Sequence, residues 1–197
     1  MPIISLRRLF KGVFRRAYRI GRNIQFNLLS TNDQVTGSPN NSQPVLYLGK
    51  GSIYFEKNVK IGISSSPGYW STYCYLESRS ETASISIGEN TWINNGFSAI
   101  SEKKSIKIGC NCLIGIDVSI YDSDFHDLNP LKRHGGGNVR AGDVEIFDNV
   151  FIGSRVTILK NTKIGQGCAI AAGSVVSGVF PSNCLIGGNP ASYIKKL

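Results

Sequence analysis

A six-residue period governs most of this chain and leaves few folds open to it. Read in sixes from Ile87, the sequence runs IGENTW, INNGFS, AISEKK. Shifted by three and read from Ile108, it runs IGCNCL, IGIDVS, IYDSDF. From Ile146 it continues IFDNVF, IGSRVT, ILKNTK, IGQGCA, IAAGSV, VSGVFP. The first position is aliphatic in nearly every unit, a small residue often follows, and the fifth tends to Thr, Val, Cys or Ser. A weaker pair, LGKGSI and YFEKNV, precedes another IG at Ile61. Such a period is too short for a helix pair and does not match a 3.6-residue turn. It matches a strand, a turn and a strand again, wound as an all-β solenoid with every sixth side chain inward. Its sharp corners account for the 22 glycines.

The rest of the chain differs in character. Residues 1–32 carry Arg7, Arg8, Lys11, Arg15, Arg16, Arg19 and Arg22 and no acid. These are seven of the net +9, which leaves +2 for everything after them. The body is therefore no basic nucleic-acid binder. Leu6, Leu9, Phe10, Val13, Phe14, Ala17 and Tyr18 recur at helical spacing, so residues 1–30 form a basic amphipathic helical segment. A basic face opposite an apolar one suits peripheral association with an anionic membrane through residues 3–20; the other outcome is packing on the body or on a partner subunit. Residues 31–44, TNDQVTGSPNNSQP, form a polar connector, and 45–197 are the repeat domain.

No stretch approaches the roughly 20 apolar residues of a membrane span, and the N-terminus lacks the pattern of a secretory signal. Cys74, Cys110, Cys112, Cys168 and Cys184 are odd in number with no CxxC spacing. They are expected as free thiols in a reducing cytoplasm, with no metal site. The expected location is cytoplasmic, at the inner face of the membrane.

One interruption stands out. The sixes hold register through IYDSDF, then break from His126 to Ala141. Three aspartates, Asp122, Asp124 and Asp127, crowd His126; the second histidine, His134, lies in a Gly-rich stretch. A histidine among aspartates fits a capped polar turn as well as a catalytic base.

The repeat, the stretch DNVFIGSRVTILKNTKIGQGCAIAAGSVV and the ending IGGNPASYIKKL resemble the hexapeptide-repeat acyltransferases. The resemblance covers about residues 45–197 and is best to the galactoside, maltose and virginiamycin-type O-acetyltransferases and those of polysaccharide biosynthesis. It implies a left-handed parallel β-helix with a protruding catalytic loop, here residues 126–141. That loop carries the family's catalytic histidine, which falls on His126. A neutral imidazole can take the proton of a sugar hydroxyl as it attacks a thioester carbonyl, provided a carboxylate or backbone carbonyl holds the other ring nitrogen. Asp122, Asp124 and Asp127 are candidates for that hold, and Asp122 and Asp124 also for substrate contact. One coil earlier, Asn95 matches the family's asparagine that faces the histidine across a subunit boundary, with Asn94 beside it.

The implied co-substrate is acetyl coenzyme A. Its contacts, carried over by position, fall on Ser154, Ala172 and Ser177, with Lys195 and Lys196 near its phosphates. Two departures are visible: Phe151 stands where relatives often have Trp, and Ser192 where they often have Arg. The implied assembly is a homotrimer, and the implied function O-acetylation of a sugar or glycan in cell-surface polysaccharide biosynthesis. An N-acetyltransferase of a nucleotide-linked amino sugar would use the same base but usually adds a nucleotide-binding βαβ unit, which residues 1–45 lack. A γ-type carbonic anhydrase needs three histidines and this chain has two. A non-catalytic β-helix scaffold would not need a histidine loop at this point.

Overall fold

The computed structural model describes residues 6–135 and 137–197. One helix, Leu6–Leu29, precedes strands that stack into three sheets. Within the coils every pairing is parallel. Each coil visits the three sheets in turn, as in Val144–Ile146, Phe151–Ile152 and Thr157–Ile158. This arrangement is a parallel β-helix and fits the left-handed form.

The register explains the sequence period. On the first side Phe55, Ile87, Ile108, Ile146, Ile164 and Phe180 stack in one row. On the second, Ile61, Ile93, Ile114, Ile152, Ile170 and Ile186 do the same. On the third, Leu76, Ala99, Ile120, Ile158 and Val176 follow suit. All of these are buried. The fifth position points inward as well: Val59, Thr91, Cys112, Val150, Cys168 and Cys184 are all buried. Two side chains in six, rather than one, thus fill the interior, and each large aliphatic one contributes about 1.5–3 kcal/mol by leaving water. The corners need a left-handed backbone. Asn58, Asn90, Asn111 and Asn149 supply it with φ of 59°, 58°, 56° and 57°. Asparagine tolerates that region at lower cost than most residues.

Residues 31–44 are not a connector. Val35–Thr36 pairs with Ile53–Tyr54, and Asn40–Asn41 with Lys60–Ile61, so this stretch forms two sides of the first coil. The reading as a connector failed because an end coil has one face toward solvent and polar residues can cap it. The Asn32 side chain donates to the carbonyls of Leu48 and Gly51, and buried Gln43 donates to those of Gly68 and Thr72. At the other end, Ala191–Lys196 turns back antiparallel on Cys184–Gly188.

Of the expected membrane segment, residues 3–5 lie outside the described residues. The helix touches the body mainly near its end. Arg22 donates to the carbonyls of Tyr69 and Thr72, Asn23 to that of Asn41, and Phe26 packs on Tyr73 at 4.6 Å between ring centroids. No described helix is long and apolar enough to cross a membrane.

Candidate active site

The break in the repeat is a loop at the corner between the third and first sides. It leaves after Ser119–Tyr121 and returns at Val144–Ile146. A short antiparallel contact closes its base: Ser123 bridges Ala141, Asp124 N–H donates to Arg140 O at 3.0 Å, and Gly142 N–H to Asp122 O at 2.8 Å. Phe125 follows with φ of 58°, a conformation bulky residues seldom adopt. Its ring is edge-on to Tyr121, with the Arg79 guanidinium 4.8 Å from its centre.

This turn presents His126 to solvent. Its Nδ1 lies 3.2 Å from the carbonyl oxygen of Arg133. A carbonyl can only accept, so Nδ1 donates here, and in the neutral ring the lone pair then lies on Nε2. A neutral imidazole held this way is equipped as a general base.

None of the three aspartates performs that hold. Asp122 is fully buried and accepts from the backbone N–H groups of Glu102, Lys103 and Lys104 and the Ser101 hydroxyl. It closes a turn of the preceding coil, so it cannot also meet a substrate. Asp124 pairs with Lys160 one coil further on. Asp127 accepts from Asn129 N–H and Asn138 N–H, both at 2.8 Å, which holds its carboxyl below the usual carboxylate range. Short polar side chains cap local backbone, and each aspartate found a nearer donor than the imidazole. His126 and His134 line one cavity of about 330 Å³ with Phe125, Lys132 and Arg133. Gly136, within the expected 126–141 loop, lies outside the described residues.

Asn94 and Asn95 occupy the opposite situation, at the corner between the second and third sides. Asn95 is fully buried. Its amide donates to the carbonyls of Ile63, Ser66 and Pro67 and accepts from Ile63 N–H. Asn94 donates to the Ser66 hydroxyl and accepts from Asn95 N–H. The partner of both is a second excursion, residues 62–73, between Lys60–Ile61 and Cys74–Ser78. The one available signal for it was the gap in the repeat between the IG at Ile61 and the IG at Ile87.

Ser154 and Ala172 lie at this same corner, two and three coils below Asn95. The Ser154 hydroxyl accepts from Ile116 N–H at 3.2 Å. Ser177 lies at the corner of the His126 loop, while Lys195 and Lys196 stand exposed on the final reversed strand. Within one chain, then, these groups divide between two corners and an outer face. The second side also presents an outward row, Trp92, Leu113 and Phe151, that is apolar and exposed. The outward row of the first side is Ser86, Lys107, Glu145 and Lys163. No group of three metal-ligating side chains occurs among the described residues.

Comparison with known proteins agrees with this picture. The bacterial transferase hexapeptide (six repeats) family matches residues 143–178. The polysialic acid O-acetyltransferase of Escherichia coli O1:K1 is 36% identical over 115 residues, which are 57% of this chain and 36% of that one. A provisionally named lipopolysaccharide biosynthesis O-acetyl transferase, WbbJ, of Escherichia coli strain K12 is 32% identical over 119 residues, 57% of this chain and 60% of that one. The chain thus spans less than two thirds of the length of either relative. Among solved structures, a hexapeptide-repeat acetyltransferase of Vibrio cholerae, complexed with acetyl coenzyme A, superposes with a TM-score of 0.55 at 20% identity, covering 100% of this chain and 92% of that one. Residues 143–178 thus carry the hexapeptide repeat of the bacterial transferases, and the coil as a whole has the fold of this neighbour.

Proposed function

We propose that this protein is an O-acetyltransferase that moves acetyl from acetyl coenzyme A to a hydroxyl of a cell-surface glycan or its precursor. The observation that carries this reading is the pairing of His126 Nδ1 with the Arg133 carbonyl, which leaves Nε2 as a free base on the loop that interrupts the coils. Nε2 takes the proton of the acceptor hydroxyl as its oxygen bonds to the thioester carbonyl carbon. When the tetrahedral intermediate collapses, the C–S bond breaks and the imidazolium returns the proton to the leaving thiolate. A backbone N–H of the coil wall serves the oxyanion. The acceptor class is supported by the names of two relatives, a polysialic acid and a lipopolysaccharide O-acetyl transferase.

The co-substrate follows from the Vibrio cholerae neighbour, which holds acetyl coenzyme A on the same fold. In this reading Ser154 and Ala172 flank its pantetheine arm, Ser177 lies beside it, and Lys195 and Lys196 meet its phosphates. The separation of Ser154 and Ala172 from His126 within one chain favours a site shared between subunits of a homotrimer. The exposed Trp92, Leu113 and Phe151 row supplies an apolar face for that contact. Asn95 acts in this site by fixing the 62–73 excursion beside the acceptor, its own amide being fully engaged. The basic N-terminal helix holds the enzyme at an anionic membrane face, where lipid-linked acceptors are made.

The test is a mass-spectrometric screen of sugars and glycans, amino sugars included, with acetyl coenzyme A. Wild type should add 42 Da, an acetyl group's net mass of about 42 Da by simple stoichiometry, to an oxygen and His126→Ala should not. Acetylation confined to amines would replace this reading with N-acyl transfer.

A further inference from the structure

The helix Leu6–Leu29 has two unlike sides. Residues on a helix step about 100° apart, so Phe10, Val13, Phe14, Ala17, Gly21, Ile24 and Leu28 share one side and Arg22, Asn23 and Phe26 the other. The second side makes the hydrogen bonds and the close ring contact with the body, and Tyr18, between the two sides, lies 6.2 Å from Trp70 between ring centroids. The first side reaches the body only where Phe14 borders Trp70, and its large residues are open: Phe10 is 73% exposed, Phe14 61% and Leu28 81%. An apolar strip of this length does not stay in water without an occupant.

The cations lie elsewhere on the same helix. Arg15, Arg16 and Arg19 face the body side and, with Ser64, Tyr69 and Trp70 of the 62–73 excursion, line a cavity of about 350 Å³. A second groove of about 390 Å³, lined by Phe14, Arg15, Tyr18 and Trp70, adjoins it through Arg15 and Trp70. Among the described residues, none of these three arginines pairs with a carboxylate. The excursion is not a loose loop. The buried amides of Asn95 and Gln43 grip Ile63, Ser66, Pro67, Gly68 and Thr72, so Tyr69 and Trp70 are presented from a fixed frame.

We propose that the helix and the 62–73 excursion form a single docking surface for an anionic lipid bilayer, in which Arg15, Arg16 and Arg19 around Trp70 bind lipid headgroup phosphate. The apolar strip enters the acyl boundary with the body above it. The arginine stems run up the flanks of the helix to phosphate level, and the Trp70 indole sits at the interface, where tryptophan partitions preferentially. Uncompensated guanidinium groups and an apolar strip match a surface that offers phosphates and hydrocarbon together; a second copy of this chain would bring seven more cations against them. This inference rests on the membrane placement proposed above and is independent of the acyl-transfer reading.

The experiment uses the full chain and vesicles of phosphatidylglycerol or of phosphatidylcholine. Two triple variants remove the same charge: Arg15→Gln, Arg16→Gln, Arg19→Gln and, on the same helix, Arg7→Gln, Arg8→Gln, Lys11→Gln. Wild type should co-sediment with phosphatidylglycerol and not with phosphatidylcholine. The 15/16/19 variant should weaken that binding at least about tenfold more than the 7/8/11 variant, because only the former lines the cradle. In a Trp92→Phe background, Trp70 emission should shift to the blue and resist acrylamide quenching on phosphatidylglycerol. Equal loss in the two variants, or an unshifted Trp70, would overturn the cradle while leaving membrane placement standing. No wild-type binding would overturn both. Trp70 shielding that appears with protein concentration alone, without vesicles, would assign the surface to a second copy instead.

Discussion

His126 and Arg133 are joined by 3.2 Å between imidazole Nδ1 and a main-chain carbonyl oxygen. Because the acceptor is backbone, the side chain of Arg133 is not what sets the tautomer. His126→Ala should therefore lower kcat at least about a hundredfold with little change in the KM for acetyl coenzyme A, whereas Arg133→Ala should cost less than about tenfold. His134→Ala should resemble Arg133→Ala. Equal losses at both histidines would remove His126 from its role.

The Lys160–Asp124 pair ties the base of the loop to the next coil. Lys160→Met should keep the fold at a cost of about 1–3 kcal/mol, because the pair is largely buried and Asp124 loses its partner. It should still lower kcat about tenfold by loosening the turn that carries His126. A melting temperature near wild type together with unchanged kcat would show that the pair does not position the loop.

Asn95 holds three carbonyls and one N–H of the 62–73 excursion from inside the coil. Asn95→Ala should cost about 1–3 kcal/mol in urea unfolding, because buried backbone groups lose their partner. Limited proteolysis should then cut first within residues 62–73. Stability within error of wild type, with the loop still resistant, would contradict this.

The exposed row on the second side is a direct test of assembly. Leu113→Glu with Phe151→Glu should leave the circular dichroism spectrum intact, since both side chains point out of the coil. Light scattering should show the wild type as a trimer and the double variant as a monomer without activity. An active monomeric wild type would refute the shared site.

Burial pushes the Cys74 thiol up to about 12 and the Cys112 and Cys184 thiols to about 11. These groups are neutral in the fold, so the stability they contribute is full below the ordinary thiol value of 9.0 and is lost as pH rises through their folded values. Denaturation midpoints should fall between about pH 9 and 11. At pH 8 a thiol reagent should modify native protein at Cys110 alone, the one thiol not buried, and all five after unfolding. Rapid reaction of Cys74 in the native state would show that the coil opens.

The solenoid was legible because its interior rows recur in the sequence at the spacing the coils demand, from Phe55 and Ile87 through Ile164. The loop was legible for the same reason: a strict period makes its own interruption visible. What the period could not carry went unread. Val35–Thr36 and Asn40–Asn41 are a coil built of polar residues, because an end coil is half solvated. The 62–73 excursion falls where the repeat is weakest, and Asn95 read as a chemical group when its buried amide serves that excursion. The aspartates beside His126 are adjacent in sequence, yet backbone geometry sent Asp122 to a turn of the previous coil.

The reversed strand Ala191–Lys196 lies along the last coil, where a further parallel coil would otherwise stack. A β-helix with a bare final edge is a template for fibre growth, since each new chain could add its strands to the last. Lys195 and Lys196 put positive charge on that seam, and the polar first coil blunts the opposite end. A chain cut after Gly188 would keep most of its interior rows and lose this barrier. Its characteristic failure would be end-to-end filaments that bind thioflavin T, rather than unfolding.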